Sequence, residues 1–457
     1  VTHPRVKSMA PPRHQTICNT SVKYGWQPWH VLPYAPSFYQ ENCVQIKDEI
    51  IAGITVAFAQ VSESIAFAFI AGVGPLLGLH AAWIIGLSLS IFGSRPGMIN
   101  GATGVRAAVI APYIKLHGIG FLFWIVLIIS VYQLLAGLFK LAKFVRMVPR
   151  PVMIGFVNGL ATILTLGQIL QFQIPCNKII ASIIRPQDYR CLPSNTTSHL
   201  LSSTTTNITT TVDADYIPSE IEYVMVEGSE LVWMFFHILL VFILIKMIPL
   251  IPKVGEFIPA SLTALLIATF FEWVVIRPLG YRTPIIGEVG QVSGGFPKPF
   301  FVDPQYAGKI APLTLETIRI CLLPAFVAAA AGAVEAVMTM EVVNDLTETV
   351  NNAPNQQLVA LSIGNAISAI YGTMGGGATI GLSVINCENG ANGWFRISGI
   401  IAGVMVLIFV LIAAPFIEII PTASLVGVMV VVILSTMDWE SLWIILLSFV
   451  PYSIREG

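Results

Sequence analysis

Long apolar runs, separated by short polar stretches, dominate the chain from residue 49 onward. Runs at 49–70, 75–93, 119–139, 152–172, 230–250, 257–277, 318–340, 357–372, 396–414 and 416–436 reach or approach the ~20 residues a helix needs to cross a bilayer. The first is interrupted midway by Ser62, Glu63 and Ser64, and a last apolar run covers 441–450. Two apolar segments, 98–112 and 373–386, are too short and glycine-rich to cross alone. Residues 1–48 are polar, carry His, Pro and Arg, and lack the apolar core of a secretory signal, so they predict a soluble arm. Residues 173–229 are polar and Ser/Thr-rich, and 341–356 form a shorter polar stretch.

Composition narrows the class. Hydrophobic residues make up 55% of the 457 and charged residues 11%, where soluble proteins carry roughly 25% charged residues. With a mean hydropathy of +0.78, this predicts an all-α polytopic membrane protein in contact with the lipid bilayer. Twenty-four basic against 25 acidic residues leave no basic excess, which excludes a nucleic-acid partner. The six cysteines show no CxxC spacing. No P-loop or HExxH is present, and Gly375-Gly376-Gly377 lacks the GK[ST] ending of a phosphate cradle. Neither an enzyme nor a resident metal or cofactor is expected.

Charge sets the orientation. Lys140, Lys143, Arg146 and Arg150 share one short loop, and Lys246 and Lys253 another. The positive-inside rule places both in the cytoplasm, and counting spans then puts 173–229 outside. Sequons at Asn195 and Asn207 fall in that outer loop, so glycosylation there is expected; the sequon at Asn19 falls inside. Cys176 and Cys191 share the loop, as a disulfide or as two free thiols. The sequons point to the plasma membrane of a eukaryotic cell.

The two short segments form a pair. INGATGVRAAV (99–109) and MGGGATIGLSV (374–384) lie one in each half of the chain, and both contain Gly-Ala-Thr. Paired broken segments in corresponding positions mark the central site of many secondary transporters. Half-helices meeting at the midplane present unpaired N–H groups and positive dipole ends to an anion. Small-residue packing seams are the alternative for either segment alone.

Several stretches are similar to the SulP anion transporters, solute carrier family 26. They are IAGITVAF (51–58), AGVGPLLGLHAAW (71–83), FGSRPGMINGATG (92–104), VRMVPRPVMIGFVNGLA (145–161), IGNAISAIYGTMGGGA (363–378) and IPTASLVGVMVVVILSTMDW (420–439). The resemblance covers about Ile46 to Trp439. It implies an inverted repeat of two seven-span halves, with a core domain (about 49–150 and 318–390) moving against a gate domain (about 151–277 and 396–450). It also implies a homodimer. The family pattern continues with two more spans and a cytoplasmic STAS domain; with only 451–457 as a tail, this chain is expected to lack them.

Charged and polar residues inside the spans supply the candidate chemistry. Glu335 lies in AAAAGAVEAVMTM, and a carboxylate at that depth must bind a cation, pair with a base or take a proton, unless it serves helix packing. The resemblance implies a role for it in Na+ or H+ coupling, with Thr339 one turn on and Thr103 as further ligands. The backbone of Gly377, Ala378 and Thr379 would complete an oxygen cage. Glu63 stands where the family has a substrate-contacting glutamine, and Phe67 matches an aromatic of the substrate pocket. The family's arginine in the second half-helix is absent: Leu382 and Ser383 occupy the pair of positions four residues before Asn386. Arg106, in the partner half-helix, either supplies the lost charge or pairs structurally with Glu63 or Glu335. His80 and His237 read as packing residues.

The expectation is a secondary active transporter coupled to Na+ or H+ and carrying a small inorganic anion, bicarbonate or sulfate, by elevator-like alternating access. An uncoupled anion exchanger or channel and a nucleobase-type symporter are the rival readings.

Overall fold

The structure, a computed structural model, describes residues 43–145, 147, 149–169, 172–176, 222–226, 228–248, 260–289, 295–302, 310–348, 353–393, 395–412, 414–441 and 443. The arm up to residue 42, the sequons at Asn195 and Asn207, Cys191 and the run after Trp443 lie outside them.

Seven elements come first: α1 (Cys43–Ala71), α2 (Pro75–Phe92), a two-residue strand β1 (Asn100–Gly101) leading into α3 (Gly104–His117), α4 (Gly120–Leu138), α5 (Arg150–Ile169), α6 (Ser229–Met247) and α7 (Ala260–Phe271). A second series repeats the order: α8 (Leu315–Thr347), α9 (Pro354–Ile370), strand β4 (Gly377–Ala378) with α10 (Ile380–Glu388), α11 (Ile397–Ile412) and α12 (Thr422–Thr436). The two ends of the polar stretch 173–229 pair antiparallel, β2 (Gln173–Cys176) against β3 (Glu222–Met225).

Element boundaries differ from the hydropathy runs where polar residues find partners inside the protein. The arm was expected to reach residue 48, but α1 starts at Cys43. Glu49 is buried there because its carboxylate accepts from the backbone N–H groups of Asn392 and Ser398. The Ser62-Glu63-Ser64 interruption does not break the helix, because both serine hydroxyls donate back to the carbonyls of Ala59 and Gln60. Helix α8 continues through the polar stretch to Thr347, with Glu341, Asp345 and Glu348 exposed. The run expected at 416–436 is split before α12, where Ile286 donates to Ile420 and Thr422 to Pro284.

Packing sorts the helices into two groups. α1 to α4 pack with α8 to α11, and α5, α6, α7 and α12 pack with one another. Residues 396–414 were expected in the gate; α11 packs instead against α1 and α2. Its small residues allow this. A Cβ at Gly403 would sit 2.8 Å from Leu87, and α1's Gly53 would meet the Ser398 carbonyl at 2.5 Å. The second group exposes large apolar side chains such as Phe235, Leu239, Leu266 and Phe270, an oily surface suited to lipid. Five of the described helices are long and apolar enough to cross a membrane.

Candidate functional site

The two short segments meet. β1 and β4 pair antiparallel, Asn100 opposite Ala378 and Gly101 opposite Gly377. The approach requires glycine: a Cβ at Gly376 would collide with the carbonyl oxygen of Gly101. Gln60 of α1 holds the crossing from one side, donating to the Asn100 carbonyl at 2.8 Å. Asn365 of α9 holds it from the other. It donates to the Gly376 carbonyl at 3.2 Å, and its Oδ1 accepts from the Gly376 N–H at 3.0 Å.

From this crossing α3 and α10 run apart, each starting at a threonine. Thr103 and Thr379 have extended backbones and make no side-chain cap. The first amides of both helices therefore lack intrahelical acceptors and side-chain caps, and their dipole ends face the same region. Phe67 covers the start of α3: a Cβ at Gly104 would lie 3.0 Å from its ring and 3.3 Å from Leu164 Cγ on α5. Glu63 lies one turn before Phe67 on the same face of α1. Both are buried.

On the β4 side, Glu335 and Thr339 of α8 are buried, and Thr339 donates to the Glu335 carbonyl at 2.7 Å. A Cβ at Gly377 would meet the Thr103 methyl at 3.5 Å and Glu335 Oε2 at 3.9 Å. Glu335, Thr103 and Gly377 are thus brought together. Glu335 Oε2 and Glu63 Oε1 are buried with no hydrogen-bond partner. A buried, unpaired carboxylate is costly unless a cation or proton compensates it.

Other expected residues are placed differently. Thr379 and Ser383 direct their hydroxyls to Ile99, whose carbonyl accepts from Thr379 Oγ1 at 3.1 Å and whose N–H donates to Ser383 Oγ at 2.9 Å. They secure the entry to β1. Leu382 lies in an apolar cluster with Val56, Ala57, Ala82 and Val406, so that position faces helix packing. Arg106, two residues and about 200° around α3 from Gly104, points to α4, α8 and α9, away from Phe67 and Leu164. Its Nη1 donates to Asn365 Oδ1. Asn365 also donates to Gln133 at 2.9 Å.

Gln60, Gln133 and Asn365 complete the site. Each is a polar residue inside an apolar run, and that is the signal by which sequence reasoning finds them. His80 accepts from Trp83 at 3.0 Å, as a packing residue does. His237 faces the carbonyls of Trp233 and Ala268 and lies 3.7 Å from Glu272.

Comparison with known proteins places this geometry. The model of the Sulfate permease family matches residues 46–180 and 200–449. The chain is 30% identical over 397 residues to the "Putative sulfate transporter YbaR" of Bacillus subtilis, covering 87% of this chain and 68% of that protein. To the "Bicarbonate transporter BicA" of Picosynechococcus it is 26% identical over 410 residues, covering 87% and 63%. It spans 62–68% of the length of four bacterial relatives and 52% of two from Arabidopsis thaliana, each matched along 86–87% of its own length. Among solved structures it resembles the transmembrane domain of a cyanobacterium bicarbonate transporter BicA, with a TM-score of 0.61, 24% identity, and 86% and 89% of the two chains covered. It also resembles murine Solute Carrier 26 family member A9, with a TM-score of 0.60, 16% identity, and 87% and 62% covered. These likenesses show the fold, the helical inverted repeat of seven and seven elements.

Proposed function

The chain belongs to the sulfate permease family, an integral, multi-pass membrane family of transporters rather than enzymes, and we propose that it is a secondary active carrier of a small inorganic anion, bicarbonate or sulfate, coupled to Na+ or H+. One observation carries the reading. Two uncapped helix N-termini converge beside the buried carboxylate of Glu335, whose Oε2 has no hydrogen-bond partner.

The anion is placed between the starts of α3 and α10, under Phe67, where backbone N–H groups and dipole ends supply positive potential. Glu335, Thr103, Thr339 and the carbonyls of the 377–379 segment hold the cation. Its charge offsets Glu335 and the incoming anion together, which is the physical basis of coupling. Glu63 lowers the tolerance for a divalent anion, so bicarbonate is favoured over sulfate. The group of α1–α4 with α8–α11 is the moving core and α5–α7 with α12 the gate. A homodimer and glycosylation at Asn195 and Asn207 in a eukaryotic plasma membrane rest on the resemblance and the sequons respectively; the YbaR and BicA relatives are bacterial.

The test is uptake of labelled bicarbonate, and separately of sulfate, into proteoliposomes with and without an inward Na+ gradient at fixed pH. Na+-driven accumulation, lost in Glu335→Gln, is the expected result. Uptake indifferent to Na+ and pH, and unchanged in that variant, overturns the coupling. Arg106 favours a second reading, uncoupled exchange, because its guanidinium lies against Gly332, one turn before Glu335 on α8.

A further inference from the structure

Arg106 is among the largest fully buried side chains of the molecule. Two glycines make room for it. A Cβ at Gly332 would come 3.1 Å from Nη2, and one at Gly375 would come 2.8 Å from Nη1. Only Nη1 has a hydrogen-bond partner, Asn365, and Nε and Nη2 have none. A guanidinium keeps its charge in proteins and is expensive to bury without compensation. The compensating charge is Glu335. Gly332 lies one turn before Glu335 on α8, and Gly375, against Nη1, is two residues from Gly377, whose Cβ position lies 3.9 Å from Glu335 Oε2, so the two charges flank the same crossing. Nε and Nη2 on the arginine and Oε2 on the carboxylate have no hydrogen-bond partner. Around the crossing the formal charges are thus two carboxylates and one guanidinium.

We propose that Arg106 is a tethered counter-ion of Glu335, a permanent positive charge built into the first half-helix that weakens the binding of the coupling cation. It supplies one of the two charges needed to neutralise Glu63 and Glu335, leaving room for a single monovalent cation. A bound Na+ is repelled by the guanidinium and meets a carboxylate already partly compensated. Arg106 is a positioning residue for charge and touches neither ion. This inference rests on Glu335 being the cation ligand, as proposed above.

The rival explanation is mechanical: Arg106 only steadies Asn365, which holds Gly376. Three substitutions separate the two. Arg106→Lys keeps the charge and loses the planar fork. Arg106→Gln loses the charge and keeps a donor for Asn365. Arg106→Met loses both and serves if the glutamine variant does not fold. The readout is the thermal unfolding midpoint of the purified chain in detergent as Na+ replaces choline, at fixed chloride and pH. The expected result is half-saturation at about tenfold lower Na+ in the Gln and Met variants, the scale of a charge interaction across several ångströms of protein. The Lys variant stays near the parent, and adding Glu335→Gln to Arg106→Gln removes the response. A parent that responds to Na+ while the Gln and Met variants respond equally or more weakly overturns the tethered charge and leaves the coupling reading standing. No Na+ response in the parent or any variant overturns the tethered charge together with Na+ coupling, leaving the coupling ion to the pH arm of the uptake assay.

Discussion

At Gly376 a single methyl group decides whether the site exists. The Gly101 carbonyl occupies the space a Cβ would need, and backbone cannot yield as a flexible side chain can. Gly376→Ala is expected to cost at least ~1–3 kcal/mol of stability, the usual penalty of overpacking, and to abolish uptake. Gly159, on the exposed face of α5 with nothing near its Cβ position, is the control. Gly159→Ala should leave uptake intact and stabilise the helix by about 0.5–1 kcal/mol. Thermal unfolding with parallel uptake assays checks both. At this scale the ionisable residues are legible in sequence, because a charge inside an apolar run is conspicuous. Their directions are not. Arg106 looks like an anion ligand by its place next to Gly-Ala-Thr, yet helix geometry turns it away from Phe67 toward Asn365. Thr379 and Ser383 look like site hydroxyls and are engaged by Ile99.

At the scale of the elements, polar residues mislead when they satisfy backbone groups far off in sequence. Glu49 stands, in the sequence, at the edge of the first apolar run. In the fold it accepts from Asn392 and from Ser398 at the start of α11, across more than three hundred residues. Glu49→Ala would leave both buried N–H groups without this acceptor, at about 1–3 kcal/mol each. The unfolding midpoint should fall clearly, and less for Glu49→Gln, whose amide oxygen still accepts one bond. The pairing of β1 with β4 is only half visible from sequence. The repeated Gly-Ala-Thr announces two related segments, but their antiparallel register, Gly101 opposite Gly377, depends on Gln60 and Asn365 holding opposite sides. The split before α12 has the same origin: one apolar run is broken because Ile286 and Thr422 bond across it.

At the scale of the whole molecule, the two helix groups meet where Leu164 of α5 presses on Gly104 and Phe67. If transport moves one group against the other, this contact must open and close. The double variant Gly104→Cys, Leu164→Cys is expected to lose uptake under oxidising conditions and recover it on reduction. Full uptake by the cross-linked protein would show that the groups need not part there.

The sequence by itself determined the membrane class, the inverted repeat and the family, because burial in lipid writes itself into long apolar runs and the paired motifs are local. It also marked Glu63, Glu335 and Arg106, since an ionisable residue among apolar neighbours needs no structure to be noticed. Only the tertiary structure decided that α11 packs with α1 and α2, and that Gln60, Gln133 and Asn365 hold the crossing. It alone turned Arg106 toward Asn365 and Gly332 and Leu382 into an apolar cluster. The reason is physical: hydropathy reports how deep a residue lies in the membrane, whereas the direction of a side chain and the partner of a buried polar group depend on helices distant in sequence that meet only when the chain folds.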